Sequence, residues 1–555
     1  MPDLRSFDYI IVGGGTAACV LANRLTEDPT VRVLMLEAGP EPTSPWIKMP
    51  LAMGKLFTHP VLNWGYYTEP EPQLQNRAIF WPRGRVLGGS SSINGSAYVR
   101  GHAEDYDGWR RLGNAGWGWS DVQPYFERMD RLEYARGESR GGRGMVAVNY
   151  PVYVHPITRA FIEAGVRAGL PANDNLNGDV TEGISLMPNS VRKGVRQSSV
   201  EAYLRPARGR RNLEVETSAF VRRIRTEGRR ATGVEYERNG AAQSAVAKRE
   251  VILAAGAIGS PQILMLSGIG PGRHLQEYGI PVVADMPGVG ENLHDHVYTT
   301  CNYTTAPENS LNRQLRGLRV VGHAITYYLA KRGPLTNGAS QATALARGLP
   351  DAPCPDLQIV FRPMSYVYDK NARISADPVP RITGGVAYCR PKSRGRLLLK
   401  SADPRQAPAM NANYLSVASD EDGLLAGLKI VRRIFQTEPI KSMVLVEDTP
   451  GDACRTDDEL RDYLHRTAIT FCHPSGTCKM GQDAMSVVDE RLRVRGIESL
   501  RVIDASIMPA LPSCGPAPAV FMIAEKGADL VKEGQAPGAA LRGGKLAASA
   551  VSAQS

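Results

Sequence analysis

The stretch DYIIVGGGTAACVLANRLTEDPTVRVLMLEAG, Asp8 to Gly39, decides the fold. Tyr9–Val12 is a short apolar run, Thr16–Leu25 is rich in good helix formers, and Val31–Leu36 is a second apolar, β-favouring run. Strand, glycine turn, helix and strand make a βαβ unit, which puts a parallel sheet at the N-terminus. Within it Gly13-x-Gly15-x-x-Ala18 joins the first strand to its helix. The first glycine permits the turn, the second lets the backbone approach a pyrophosphate, and the small Ala18 allows close helix–strand packing. The helix N-terminus offers N–H groups and partial positive charge to phosphates. Glu37 ends the second strand, where an acid accepts from a ribose hydroxyl and disfavours a 2′-phosphate. Strand, helix, strand and acid agree on a dinucleotide site.

At 555 residues the chain exceeds one ordinary core, and two or more interleaved domains are expected. The apolar fraction of 43% and charged fraction of 22% belong to a globular protein. The net charge is +10, but the basic residues are scattered, often as pairs such as Arg110-Arg111 and Arg222-Arg223. Without a long basic run interleaved with aromatics, a nucleic-acid partner is not expected. None of the eight cysteines forms a CxxC pair, which points to reduced, buried thiols rather than a metal site. The N-terminus does not read as a signal peptide and no stretch reads as a membrane span, so a cytoplasmic location is expected.

Further along, Thr43–Phe80 is rich in proline and aromatics without a period, and reads as a long extended loop or lid. RGESRGGRG, Arg136–Gly144, reads as a polar surface loop. From Asn212 the alternation predicts β-hairpins; Glu250–Ala255 reads as a buried parallel strand, with a turn and a helix from Ser260. Residues 300–400 mix strands and helices without a nucleotide motif, as a substrate-binding layer would. The segment from Gly534 is low-complexity Ala/Gly/Ser and is expected to be disordered.

RGRVLGGSSSINGSAYVRG, Arg83–Gly101, is a dense field of backbone and hydroxyl donors suited to a diphosphate and a ring edge. GAIGSPQILMLSGIGP, Gly256–Pro271, follows the buried strand, and HPSGTCKMG begins at His473. With the N-terminal GGGTAACVLANRL, these stretches resemble the glucose-methanol-choline (GMC) oxidoreductases from about Phe7 to about Lys532, and the bacterial choline-dehydrogenase-like branch in particular. The resemblance implies FAD and an α/β fold: a Rossmann-like FAD-binding domain from discontinuous segments, plus an α+β substrate domain on an antiparallel sheet. The expected division is 1–155, 211–297 and 480–533 for the FAD-binding domain, 156–210 and 298–479 for the substrate domain, and 534–555 for the tail.

Carried over residue by residue, the resemblance assigns Gly13, Gly15, Thr16, Ala17, Glu37 and Ala38 to the adenosine and diphosphate. It assigns Val86, Gly88, Ser90, Asn94, Gly95 and Ala97 to the diphosphate and isoalloxazine, and Val221 to the adenine. Ala255, Asp504 and Ala505 fall at strand ends near the cofactor, and Trp64 lies in the lid-like loop. Pro516, Ala517 and Pro518 belong to a turn by the flavin that enters a helix at Val520, whose N-terminus favours negative charge on the ring.

Of nine histidines, His473 matches the family's active-site base. The resemblance implies that its neutral imidazole takes the hydroxyl proton of an alcohol while hydride passes to flavin N5. His294 and His296 form an HxH without an evident third ligand, and a structural role is expected; no metal is. His102, the candidate nearest the GGSS loop for covalent flavin attachment, reads as structural too. The family places a second His or Asn forty-odd residues after the base, and here that position falls on Ala517. Three accounts are open. Ser513 or Cys514 supplies the contact, the substrate carries its own polar group, or the reaction has drifted. The expected function is FAD-dependent oxidation of a primary, aromatic or heteroaromatic alcohol to the aldehyde, with dioxygen or another acceptor taking the electrons. The alternatives are a hydroxynitrile-lyase-type enzyme with structural FAD, a choline-type dehydrogenase, and a non-catalytic flavin-binding protein.

Overall fold

The structure, a computed structural model, describes residues 5–133, 144–368 and 374–534. The expected loop over 136–143 and the expected tail beyond Gly534 lie outside the described residues.

The N-terminal unit forms as the apolar pattern requires. Strand β1 (Arg5–Val12) leads through the glycine turn into helix α1 (Thr16–Leu25) and then β2 (Val33–Leu36), which pairs parallel to β1. The chain returns to this sheet much later. Leu213–Glu216 pairs parallel to β2, and the hairpin strands Ala219–Glu227 and Arg230–Arg238 lead into β3 (Ala241–Leu253). The first half of β3 is antiparallel to the hairpin, whereas its second half is parallel to β1 and to Leu500–Val502. The expected hairpins and buried strand are both present. Helix α2 (Gly256–Leu266) starts earlier than expected: Pro261 lies inside it, and the Ala257 carbonyl that its missing N–H would leave unpaired accepts from Thr477 Oγ1 at 2.6 Å.

A second sheet is antiparallel throughout. Its order is Val444–Thr449, β4 (Val297–Thr305), Arg381–Tyr388, Leu357–Arg362, Ala342–Ala346 and Gly183–Leu186, with Ile469–Thr470 on the start of β4. Helix α3 (Gly317–Ala330) lies outside this sheet, and α4 (Ala418–Phe435) packs on it. The stretch Thr43–Phe80 is not extended. It folds into short helices at Pro45–Lys48, Pro50–Ala52 and Met53–Phe57 and two-residue strands at Tyr66–Tyr67 and Phe80–Trp81. These helices and a fourth at Pro72–Leu74 are too short to show a period, and prolines start three of the four.

The final helix, α5 (Ala517–Glu533), begins three residues before the expected Val520. Pro518 sits in its first turn, where the missing N–H costs nothing. The helix packs on α1, and the buried Glu525 ties the two together by accepting from Arg24, Arg128 and Tyr203. Among the described residues no helix is long and apolar enough to cross a membrane.

Candidate active site

A cavity of about 1060 Å³ is lined from both sheets. That is above the ~300–1000 Å³ of an ordinary small-molecule pocket, and suits a dinucleotide with a substrate beside it.

The half beside β1 is built from main chain. Gly13 has φ +102°, and a Cβ there would stand 2.6 Å from the Ala254 carbonyl oxygen, so no other residue fits. Gly15 caps α1 without a side chain, which leaves the first N–H groups of the helix free toward the cavity. The Glu37 carboxylate is buried and accepts from the N–H groups of Gly14 and Gly39, each at 2.7 Å. Burial pushes its acid up to about 7, against the pull of those two donors. Asp504 accepts from Gly256 N–H and Ser506 N–H, both at 2.8 Å, and so ties the start of α2 to the end of Leu500–Val502. The Gly88 N–H donates to the Gly14 carbonyl at 2.7 Å and locks the two glycine loops together.

Of the residues selected from sequence, Gly13, Gly15, Thr16, Ala17, Glu37, Ala38, Trp64, Ser90, Asn94, Gly95, Ala97, Val221, Ala255, Asp504, Ala505, Pro516 and Ala517 line this cavity, as does His473. Val86, Gly88 and Pro518 stand behind the lining. Val86 packs with Ile47, Leu56, Leu62 and Ile93, Gly88 holds the loop, and Pro518 is buried in the first turn of α5. His102 does not reach the cavity; it caps the helix Ala103–Arg111 by accepting from Glu104 N–H.

His473 is held at its backbone and its Nδ1, and is open at Nε2. Its N–H donates to Asp295 Oδ1 at 2.7 Å, and its Nδ1 lies 2.9 Å from Nδ1 of His296. The two imidazoles meet edge to face, with centroids 5.1 Å apart. Nε2 lies beside Gly515: a Cβ there would be 3.3 Å away, so the glycine keeps this nitrogen uncrowded. Asp295 is itself fixed by the Thr470 and Tyr414 hydroxyls. Cys472, just before the histidine, carries φ +69°, a costly value for a side-chain-bearing residue that its surroundings enforce. Burial drives the His473 imidazole well below its usual pKa, helped by His296 and Arg83, and it drives His296 down to about 3. Both rings are therefore neutral around pH 7.

Beside His473, whose ring the Phe471 ring meets edge to face at 4.9 Å, stand the stacked rings of Tyr298 and Phe471, 4.7 Å apart, with Met187 and Val360 packed beside them. Gln358 lines the same wall at 3% exposure, and its buried Oε1 has no hydrogen-bond partner. Such an orphan carries a cost that a ligand relieves.

Neither side chain proposed to replace the missing partner reaches the cavity. Ser513 donates to Asp105 at 2.6 Å, and Cys514 donates to the Val99 carbonyl at 2.7 Å; both are buried. The HxH motif divides. His296 contacts His473, whereas His294 is buried and neutral beside Gly476. Among the described residues no three His, Cys, Asp or Glu cluster as metal ligands. Sequence reasoning missed His296, Gln358 and the buried Arg196, which donates to Asn94 Oδ1, Ser96 Oγ and the Ile47 carbonyl. Only the HxH pattern gave a signal for any of them.

Residues 7–298 and 391–524 match the family described as GMC oxidoreductase. The chain belongs to the GMC oxidoreductase family. As a member it is an FAD-dependent oxidoreductase acting on alcohols, and the glycine cradle, free α1 N-terminus and Glu37 fit that cofactor. It is 40% identical to the mitochondrial choline dehydrogenase of Mus musculus over 95% of this chain and 89% of that one. It is 39% identical to an alcohol dehydrogenase [acceptor] of Pseudomonas putida over 95% of each. Among solved structures it resembles pyridoxine 4-oxidase from Mesorbium loti, with a TM-score of 0.85 and 31% identity over 95% of this chain and 99% of that one.

Proposed function

We propose that this GMC enzyme oxidises a neutral primary alcohol, aromatic or heteroaromatic, to the aldehyde, with His473 as general base. The carrying observation is the arrangement of His473: backbone on Asp295, Nδ1 on His296 and Nε2 beside Gly515 at the cavity wall. Two neutral imidazoles sharing an Nδ1–Nδ1 contact need one donor and one acceptor. For Nε2 of His473 to take a proton, His473 donates from Nδ1 and His296 accepts. His296 then carries its hydrogen on Nε2, which is buried without a hydrogen-bond partner; the nearby Cys389 and Pro512 carbonyls favour protonation of the ring but are outweighed by burial. Bound FAD supplies the hydride acceptor.

Ala517 offers no polar contact to the substrate oxygen. Gln358 is proposed to offer one instead, as it lines the same cavity. Tyr298, Phe471 and Met187 form a flat apolar wall suited to a ring. A quaternary ammonium substrate is less well served. The Arg362 guanidinium already packs 5.4 Å from the Tyr298 centroid and 5.5 Å from that of Tyr366, on the ring faces a cation would use. Among the described residues the only carboxylates lining the cavity are Glu37 and Asp504, both engaged by backbone N–H groups in the cofactor half.

The proposed domain division follows the two sheets, with 1–155, 211–297 and 480–533 around β1–β3 and 156–210 with 298–479 around β4. All eight cysteines are free, which supports the reducing compartment, the cytoplasm, proposed for the enzyme. The test is anaerobic rapid mixing of the holoenzyme with benzyl alcohol, a pyridinemethanol, hexanol and choline, followed by flavin absorbance. The ring-bearing alcohols are expected to bleach the flavin fastest. Faster bleaching by choline would overturn the substrate class. Cyanohydrin cleavage without spectral change, and no bleaching by any alcohol, would overturn the redox reading. Repeating the panel with oxygen and with a dye identifies the acceptor.

A further inference from the structure

Helix α3 is unusual in this molecule because only Tyr327 along its length is buried. Leu318 is 89% exposed and Leu329 84%, and Val321, Ile325 and Tyr328 are each more than half exposed. These positions recur at helical spacing, so they form one apolar stripe. Basic residues frame the stripe. Arg313, Arg316 and Arg319 precede or open it, and Lys331 and Arg332 close it. No acidic residue occurs between Glu308 and Asp351.

The helix sits at the rim of the cavity. Its inner residues Tyr327 and Ala324 pack with Met49, Leu51, Ala52 and Leu335, and the Tyr327 hydroxyl donates to the Lys48 carbonyl at 2.9 Å. The adjoining short helix supplies Met53 and Phe57 to the cavity lining. Arg316, before the helix, donates to the Ala376 carbonyl on the strand Ile374–Ala376, whose Ile374 also lines the cavity.

We propose that α3 docks this enzyme on a membrane surface bearing anionic headgroups. Fourteen residues span about 21 Å of helix, too short to cross a bilayer and of ordinary length to lie in its interface. Apolar side chains enter the acyl boundary while the flanking guanidinium groups meet the phosphates. The charge decides against a second copy of this chain as occupant. Pairing two such helices across a twofold axis sets Arg313, Arg316 and Arg319 of one copy against the like charges of the other, with no acid nearby to offset them. Docking brings the rim segment against the interface, so an apolar alcohol dissolved there reaches Phe57 and Met53 without crossing bulk water.

The test is sedimentation of FAD-loaded full-length enzyme with vesicles of phosphatidylcholine alone, and of phosphatidylcholine with one quarter phosphatidylglycerol. The anionic vesicles are expected to carry the enzyme down, and 0.5 M salt to release much of it. Leu318→Glu with Leu329→Glu, and separately Arg313→Glu with Arg319→Glu, are expected to reduce the bound fraction on the order of tenfold. Unchanged flavin absorbance and unchanged turnover of a water-soluble alcohol show that the variants are folded. Enzyme that stays in the supernatant with both vesicle types overturns the proposal. So does a wild-type dimer in solution that the leucine variant converts to monomer, because the stripe is then covered by a second copy.

Discussion

Around the dinucleotide the cavity wall is mainly main chain, with both carboxylates engaged by backbone N–H groups; around His473 it is side chains projecting from an antiparallel sheet, one of them without a partner. The first wall is shaped by where a Cβ cannot go. The second is shaped by which residues meet when β4, Leu357–Arg362 and Ile469–Thr470 come into register. Tyr298 pairs with both Ala387 and Ile469, and Gln358 pairs with Ala387, so four distant segments share one row. A backbone wall fixes a cofactor and tolerates little change. A side-chain wall sets substrate choice, and single substitutions there should change the chemistry while the cofactor stays bound.

The largest test of that contrast is Gly13→Val. At φ +102° and 2.6 Å from Ala254 the new side chain fits neither the conformation nor the space, so FAD content is expected to collapse, and activity with it. Full FAD occupancy by absorbance would break the comparison. His473→Asn should do the opposite, with stoichiometric FAD but flavin reduction by alcohol slowed by about 10²–10⁴-fold. Gln358→Leu comes next. If its carboxamide meets the substrate oxygen, removing it costs ~1–3 kcal/mol, or roughly 5- to 150-fold in kcat/KM, at unchanged FAD content. A loss shared equally by every substrate, including ones without a second polar group, is consistent with that contact. No loss at all would leave the orphaned Oε1 without a role.

The contrast also explains what could be read from the chain. Gly13, Gly15, Glu37 and the GGSS loop are local: the residues that make the wall are neighbours in sequence, and their constraint is conformational, so it leaves a pattern. The bounds of α1 followed from composition alone. Ala517 was located at the flavin end of the cavity by its flanking residues, and it does line it. Gln358 left no trace, because a glutamine in an alternating strand looks like any solvated position until the register places it on the inner face. His296 stood in a visible HxH, but β4 begins immediately after it; His294 pairs its backbone with Ser475, whereas Asp295 and His296 both turn to His473. The short helices of Thr43–Phe80 escaped because each is under two turns long.

The smallest effect concerns His296 and is read from pH rather than rate. Burial lowers His473 well below its usual value, so the base stays unprotonated as pH falls, and the acid limb of kcat/KM is expected below pH 6.5 rather than at it. The second imidazole adds to that lowering. His296→Asn keeps an acceptor for the Nδ1–H of His473 but removes the titratable neighbour; the limb should therefore move up while staying below 6.5, because burial, the larger cause, remains, and the plateau should change only a few-fold. His296→Leu removes the acceptor. His473 is then free to place its hydrogen on Nε2, the wrong nitrogen for a base, and the plateau itself should drop. A merely structural role for His296 would lower both variants alike through stability, with the acid limb where it was. The split between Asn and Leu, one shifting the limb and the other the plateau, is what distinguishes a residue that sets the tautomer of His473 from one that only packs behind it.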